Sequence, residues 1–214
     1  MTVTVDQEKV LRIYAEAART AHDRLTALDQ LSGDGDFGDN LCAGLDGVEA
    51  RLDEGFDQVP FTVAAQVFLD EVGGTSGPLM GLLFQEMGRA LAAHGDGPEG
   101  WAAGVREGLA AIQRVGEAEP GDRTLVDALV PARDALDAGS GFADTARASL
   151  AGARATADIK ARRGRASYLG ERALGAPDPG AIGVALLFWS LARAAEPDTD
   201  LGPVTAVLDD PAAG

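Results

Sequence analysis

The stretch with the most chemistry in it is Leu28-Asp29-Gln30-Leu31-Ser32-Gly33-Asp34-Gly35-Asp36-Phe37-Gly38-Asp39-Asn40, which holds four aspartates in one short window. Glycines at 33, 35 and 38 let the backbone turn sharply, so Asp34 and Asp36 can point to one centre while Asp29 reaches in from the end of a preceding helix. Converging carboxylates repel, and a hard divalent cation is the usual way to neutralise them. Mg²⁺ takes oxygen ligands and keeps positions for water and phosphate, which three or fewer carboxylates leave open. The competing reading is an Asp/Gly turn with solvated charges and a helix N-cap, the commoner fate of an isolated Asp-Gly-Asp. A calcium-binding EF-hand loop starting at Asp34 fails, because it needs a side-chain donor where Gly38 stands and glycine where Asp39 stands.

A second cluster, Gly73-Gly74-Thr75-Ser76-Gly77-Pro78, leads into an apolar helix beginning near Leu79. Backbone N–H groups at a helix N-terminus, opened by glycine and joined by two hydroxyls, make an anion site. The alternative is a plain cap, Ser76 or Thr75 followed by a first-turn proline. No Gly-Lys-Ser/Thr string occurs, so the chain has no Walker A loop. Gly121-Asp122-Arg123-Thr124, with Gly116 before it and Leu125 after it, reads as a helix start capped by Asp122 or Thr124. Arg162, Arg163, Arg165 and Arg172 then gather ahead of Asp178-Pro179-Gly180. Their guanidinium forks could hold phosphate, although solvated arginines paired with nearby carboxylates are the commoner arrangement.

Charge narrows the partners. With 34 acidic and 18 basic residues the chain carries a formal charge of −16. Its two lysines, Lys9 and Lys160, lie far apart, so no segregated basic patch offsets the repulsion of nucleic-acid phosphates. Nucleic acid is therefore not an expected partner. The single cysteine, Cys42, cannot form an internal disulfide, which points to a reducing compartment. The N-terminal MTVTVDQEKV lacks the basic segment and apolar run of a signal peptide, and the apolar stretch Ala181 to Ala195 is short for a membrane span. The expected localisation is cytoplasmic, with no membrane partner.

These motifs must be carried by helices. Aromatic residues are scarce, alternating strand patterns are almost absent, and Ala, Leu, Glu and Arg recur at helical spacing. Val10, Tyr14, Ala17, Ala21, Leu25 and Leu28 lie three or four apart, giving a first helix over about 6 to 28 that stops near Gly33. Further helices are expected at about 39 to 54, 61 to 72, 78 to 94, 98 to 116, 124 to 138, 142 to 162 and 180 to 195. Pro98 suits a first turn, and Pro131 is expected to kink the sixth helix. The fold class is all-α: a single-domain antiparallel bundle of eight helices over residues 6–197, with a loosely held tail over 198–214.

Taken in order, the four motifs closely resemble the nucleotide-binding L subunit of dihydroxyacetone kinases, over roughly Val10 to Ala195. The most specific match is the run from Gly164 to Ala181; Gly73 to Pro78 and Gly121 to Leu129 support it, and the aspartate motif fits with substitutions. The resemblance implies an eight-helix barrel with a nucleotide at one end. It implies Asp29, Asp34 and Asp36 as ligands of two Mg²⁺ ions bridging the phosphates of ADP or ATP. Phe37, Gly38, Asp39, Asn40, Thr75 and Ser76 correspond to nucleotide contacts, chiefly phosphate; Gly116, Leu125, Arg165, Asp178, Pro179 and Gly180 correspond to the adenosine side. The implied partners are a K-type subunit that holds dihydroxyacetone and, in bacterial systems, an M-type phosphohistidine protein of the phosphotransferase system. A homodimer is left open.

The sequence departs from the family at two points. The family motif reads Gly-Asp-Gly-Asp-His-Gly, but here the histidine position is Phe37; the following Thr-Asn-Met is replaced by Asp39-Asn40-Leu41. A phenyl ring donates no hydrogen bond to phosphate, and Asp39 adds negative charge beside the nucleotide unless it turns outward or helps bind metal. The leading expectation is a Mg²⁺-dependent phosphotransferase subunit active with a K-type partner. The alternatives are a non-catalytic Mg-nucleotide or regulatory module, and a helical bundle carrying lipid.

Overall fold

The computed structural model describes residues 4–55, 57–168 and 173–208. Helix α1 (Gln7–Ser32) opens on Asp6, whose carboxylate accepts from the Lys9 N–H at 3.1 Å. It buries Val10, Leu11, Tyr14, Ala17, Ala18, Ala21, Leu25 and Leu28 along one stripe and ends at Gly33. At a rise of about 1.5 Å per residue a helix of this length spans the domain. The rest follow as α2 (Phe37–Asp53), α3 (Pro60–Asp70), α4 (Ser76–His94), α5 (Pro98–Gly116), α6 (Val126–Asp137), α7 (Phe142–Ala155), α8 (Pro179–Ala195) and the short α9 (Thr205–Leu208).

Each of the first eight helices packs against the next, and α8 returns to α1, which closes the ring into an antiparallel barrel. Helix α8 is the most apolar element and is buried on nearly all sides. Within the barrel the Tyr14 hydroxyl donates to the Gly183 carbonyl at 2.9 Å, so the α1–α8 contact holds a satisfied polar group. Trp101 stands edge-to-face with Phe61 and Phe142, at centroid distances of 5.3 and 6.5 Å. These rings sit near the starts of α3, α5 and α7. They fill the end of the barrel opposite the four motifs. No helix among the described residues is long and apolar enough to cross a membrane.

Two local expectations need correction. The seventh helix ends at Ala155 rather than near 162: Thr156–Asp158 tightens into a 3-10 turn, and the Thr156 hydroxyl and carbonyl both bond to other parts of the chain. Pro131 stands inside α6, where the sequence reading placed it. Proline removes the donor to the Asp127 carbonyl, and α7 fits Gly152 against that place, where a Cβ would stand 2.2 Å from the Asp127 oxygen. The tail is not loose throughout: α9 packs on α1 and α8 and buries Val207 and Leu208 in the main core.

Candidate functional site

In an up-and-down ring, connections from odd to even helices emerge at one end. Those four connections, α1–α2, α3–α4, α5–α6 and α7–α8, are the four motif-bearing stretches, and all four border one cavity. No local feature of the sequence requires this meeting; the alternation of helix direction brings it about.

In the α1–α2 turn, Asp29 is half-buried and borders the cavity. Its Oδ2 accepts from the Gly35 N–H at 3.0 Å and the Phe37 N–H at 3.1 Å, so this carboxylate shapes the turn from within. Gly35, at φ +86°, takes the left-handed conformation the turn requires. Asp34 and Asn40 also border the cavity. Asp36 precedes α2 as an exposed residue that makes no side-chain cap bond, and it is off the cavity wall. The Phe37 ring borders the cavity but is buried against α8, where a Cβ on Gly183 would lie 2.8 Å from Cζ. Gly38 backs onto α1 at Thr26 and the His22 carbonyl. Asp39 turns outward: its Oδ1 lies 2.7 Å from His22 Nε2, and His22 Nδ1 lies 2.9 Å from Asp23. The Asp39 bond, followed by the Asp23 bond, raises the His22 pKa above its usual value. The side chain of Asp39 is therefore committed to α1, and any part it takes at the cavity falls to its backbone.

The donors in this turn are hard oxygens, the ligand type that suits Mg²⁺. Among the described residues no three His, Cys, Asp or Glu side chains are grouped to hold a metal ion by themselves. An ion there would need oxygens from phosphate and water to complete its shell, which is how Mg²⁺ is usually held.

Across the cavity, Gly73, Gly74, Thr75 and Ser76 lead into α4. Gly74 is at φ +75°, and a Cβ on it would lie 3.5 Å from Asn40 Nδ2, so the starts of α2 and α4 stand side by side. Thr75, the residue before α4, makes no side-chain cap bond. Two helix N-termini thus present first-turn N–H groups to one space.

The α5–α6 connection supplies Gly116, Arg123, Thr124 and Leu125. Neither of the two expected caps is the N-cap residue, which is Leu125; Thr124 stands one residue before it, and its hydroxyl accepts from the Val126 N–H at 3.2 Å. Asp122 instead closes the turn by accepting from the Glu119 N–H at 2.9 Å. Asp127 accepts from the N–H groups of Gly121 at 2.5 Å and Thr124 at 2.8 Å. Arg123 is the residue sequence reasoning missed. It is only 1% exposed, its Nε donates to the Thr156 carbonyl at 3.2 Å, and its Nη2 donates to the carbonyls of Ala173 at 2.7 Å and Ala176 at 2.8 Å.

From the α7–α8 connection come Arg163, Gly164, Ala166, Asp178, Pro179 and Gly180. Arg163 is exposed and lies 3.3 Å from Glu117; Arg162 lies 3.9 Å from Asp122. Arg165 belongs to a 3-10 turn, Arg165–Tyr168, but its side chain, like Arg172 as a whole, lies outside the described residues. Asp178 caps α8, its Oδ1 accepting from the Ala181 N–H at 2.8 Å, while its own N–H donates to the Thr156 hydroxyl at 2.7 Å. Burial pushes its carboxyl up to about 6, against the opposing pull of the Ala181 bond and of Arg123; Asp127 and Asp29 add a smaller upward push. The buried Arg123 thus influences this carboxyl without, among the described residues, forming an ion pair with it.

The chain matches the model of the DAK2 domain over residues 32–193. It is 35% identical over 198 residues to the ADP-binding subunit DhaL of a PEP-dependent dihydroxyacetone kinase of Listeria innocua, covering 88% of this chain and 97% of that one. An L-erythrulose 1-kinase of Mycolicibacterium smegmatis is 37% identical over 85% of this chain, which spans 34% of that enzyme. The fold superposes on the dihydroxyacetone kinase of C. freundii, solved with AMP-PNP and Mg²⁺, at a TM-score of 0.68 and 28% identity, over 86% of this chain and 33% of that one. The chain thus corresponds to a whole DhaL subunit but to about a third of the longer kinases. With the match extending from the end of α1 to the end of α8, the chain belongs to the DAK2 domain family.

Proposed function

We propose that this chain is a Mg²⁺-dependent ADP- or ATP-binding subunit that transfers a phosphoryl group to dihydroxyacetone or a related small ketose held by a separate K-type subunit. One observation carries the reading: four connections that are distant in sequence converge on one cavity with carboxylates on one side and two helix N-termini beside them. Asp29 and Asp34, with Asp36 as the third residue of the resemblance, would hold two Mg²⁺ ions. Those ions, when bound, neutralise the charge that builds on the phosphate oxygens during transfer. The N–H groups of Gly38 and Asp39, with Gly74, Thr75 and Ser76, receive phosphate oxygens. Gly116, Leu125, Pro179 and Gly180 make the adenosine wall, and Asp178 fixes the start of α8 beside it. In this reading no side chain is a nucleophile: the subunit positions the nucleotide and offsets its charge, and the acceptor hydroxyl comes from the partner.

Isothermal titration with Mg²⁺ and ADP tests the site. Wild-type protein should bind, and Asp34→Asn should bind at least tenfold more weakly; absence of wild-type binding, or an undiminished variant, refutes the assignment. A non-catalytic nucleotide-binding or regulatory role is the second reading, and Phe37 favours it, because its ring is packed on Gly183 where the family motif has a histidine. Turnover in a coupled assay with a K-type subunit excludes that role. Running the assay with ATP, or with phosphoenolpyruvate and an M-type phosphohistidine protein, assigns the donor. A cytoplasmic location and a homodimer complete the proposal, and sedimentation with and without nucleotide checks the latter.

A further inference from the structure

We propose that Arg123 is a positioning residue of the nucleotide site: its guanidinium ties both ends of the α7–α8 connection to the α5–α6 connection and so fixes the wall that receives the adenosine half of the ligand. This inference rests on the nucleotide reading above. An arginine in a loop of a chain with formal charge −16 would ordinarily sit in water among carboxylates. Arg123 does the opposite. It is 1% exposed, and among the described residues no carboxylate lies within ion-pair distance of it. Its backbone is at φ +62°, one of two non-glycine residues with positive φ among the described residues, so the chain accepts a sparsely populated conformation at the point where this side chain turns inward.

What the buried fork binds explains that arrangement. Nε takes the carbonyl of Thr156, at the start of the connection, while Nη2 takes the carbonyls of Ala173 and Ala176, near its end. Neighbouring bonds close the same base: Gly175 N–H to the Ala157 carbonyl at 2.9 Å, Arg162 N–H to the Asp122 carbonyl at 3.1 Å, and Asp178 N–H to the Thr156 hydroxyl. Asp178, Pro179 and Gly180, which border the cavity, follow directly from the anchored end. The planar fork spreads its donors in a fixed geometry that an ammonium lacks, so lysine cannot reproduce the contact. Arg123 itself borders the cavity, and among the described residues its buried Nη1 has no acceptor.

The test uses Arg123→Met and Arg123→Lys in the full chain, each first shown to melt cooperatively. Titration with Mg²⁺ and the fluorescent 1,N6-etheno-ADP reads affinity, and anisotropy at saturation reads how firmly the adenine is held. Trypsin cleavage after Lys160, Arg162 and Arg163, without nucleotide, reads the anchoring of the connection. Arg123→Met should lose at least tenfold in affinity, show lower anisotropy at saturation, and be cleaved at least tenfold faster. Arg123→Lys, keeping charge without the fork, should show the same three changes in reduced measure. Affinity within twofold of wild type, anisotropy at saturation equal to wild type, or an unchanged cleavage rate in a folded variant overturns the proposal. If Arg123→Met does not fold, Arg123→Lys decides on the same three measures. Wild-type protein that binds no nucleotide refutes the nucleotide reading and this role with it, whereas normal wild-type binding with an unaffected variant refutes this role alone.

Discussion

Replacing Asp178 with asparagine separates the cost of a buried carboxylate from the value of a helix cap. The Asn Oδ1 can accept from the Ala181 N–H as the Asp178 oxygen does at 2.8 Å, so the cap is kept and only the ionisable group is removed. The Asp178 carboxyl is raised from 3.8 to about 6, chiefly by burial. An acid whose folded pKa is raised stabilises the fold fully below its unfolded pKa, and that stability is lost as pH rises through the folded pKa. The window lies between about 4 and 6 for the main loss, complete by pH 8. At about 1.4 kcal/mol per pH unit of pKa difference, the charged form costs roughly 3 kcal/mol at pH 8 and roughly half of that at pH 5. Asp178→Asn should therefore gain more stability over wild type at pH 8 than at pH 5, by roughly 1 kcal/mol, in urea unfolding at fixed ionic strength without nucleotide. A stability difference that is flat with pH, or that shrinks as pH rises, would refute the claim that Asp178 is destabilised by its burial.

Two further outcomes follow from the geometry around Phe37 and Asp39. A Cβ at position 183 would meet the Phe37 ring at 2.8 Å, so Gly183→Ala should destabilise the protein by roughly 1–3 kcal/mol in urea unfolding and weaken ADP binding by displacing a cavity-lining ring. Asp39→Ala should leave ADP affinity within twofold of wild type. Because its bond to His22 is the largest cause of the raised His22 pKa, the same change should lower that pKa in an NMR titration; an unchanged pKa would contradict the pairing.

The helices were legible because their apolar residues recur at three- and four-residue spacing and because Gly33, Gly95, Gly97 and Pro98 mark stops and starts. The count of eight helices was readable at that level, while the closure of the ring and the burial of Val207 and Leu208 were not, since a short tail helix acquires its role only from the groove it meets. The seventh helix was over-extended for a physical reason. Residues 156–162 have adequate helix propensity, but Thr156 bonds to Arg123 and Asp178, and tertiary contacts outweigh propensity. Whether the Asp39 side chain turns outward was left open because sequence adjacency conceals the direction of a side chain; one helical step turns it toward His22.

Composition and motif spacing alone determined that the chain is helical, acidic, and equipped with an aspartate turn and a glycine-rich helix start. Those properties are local or additive, so they can be read residue by residue. Only the tertiary structure decided that four connections share one end of a closed barrel, that Asp29 shapes its own turn, and that Arg123 lies buried beneath the cavity. The physical reason is that each depends on a contact between residues far apart in sequence: helix direction alternates around the ring, and a buried guanidinium is tolerable only where three distant carbonyls converge to receive it.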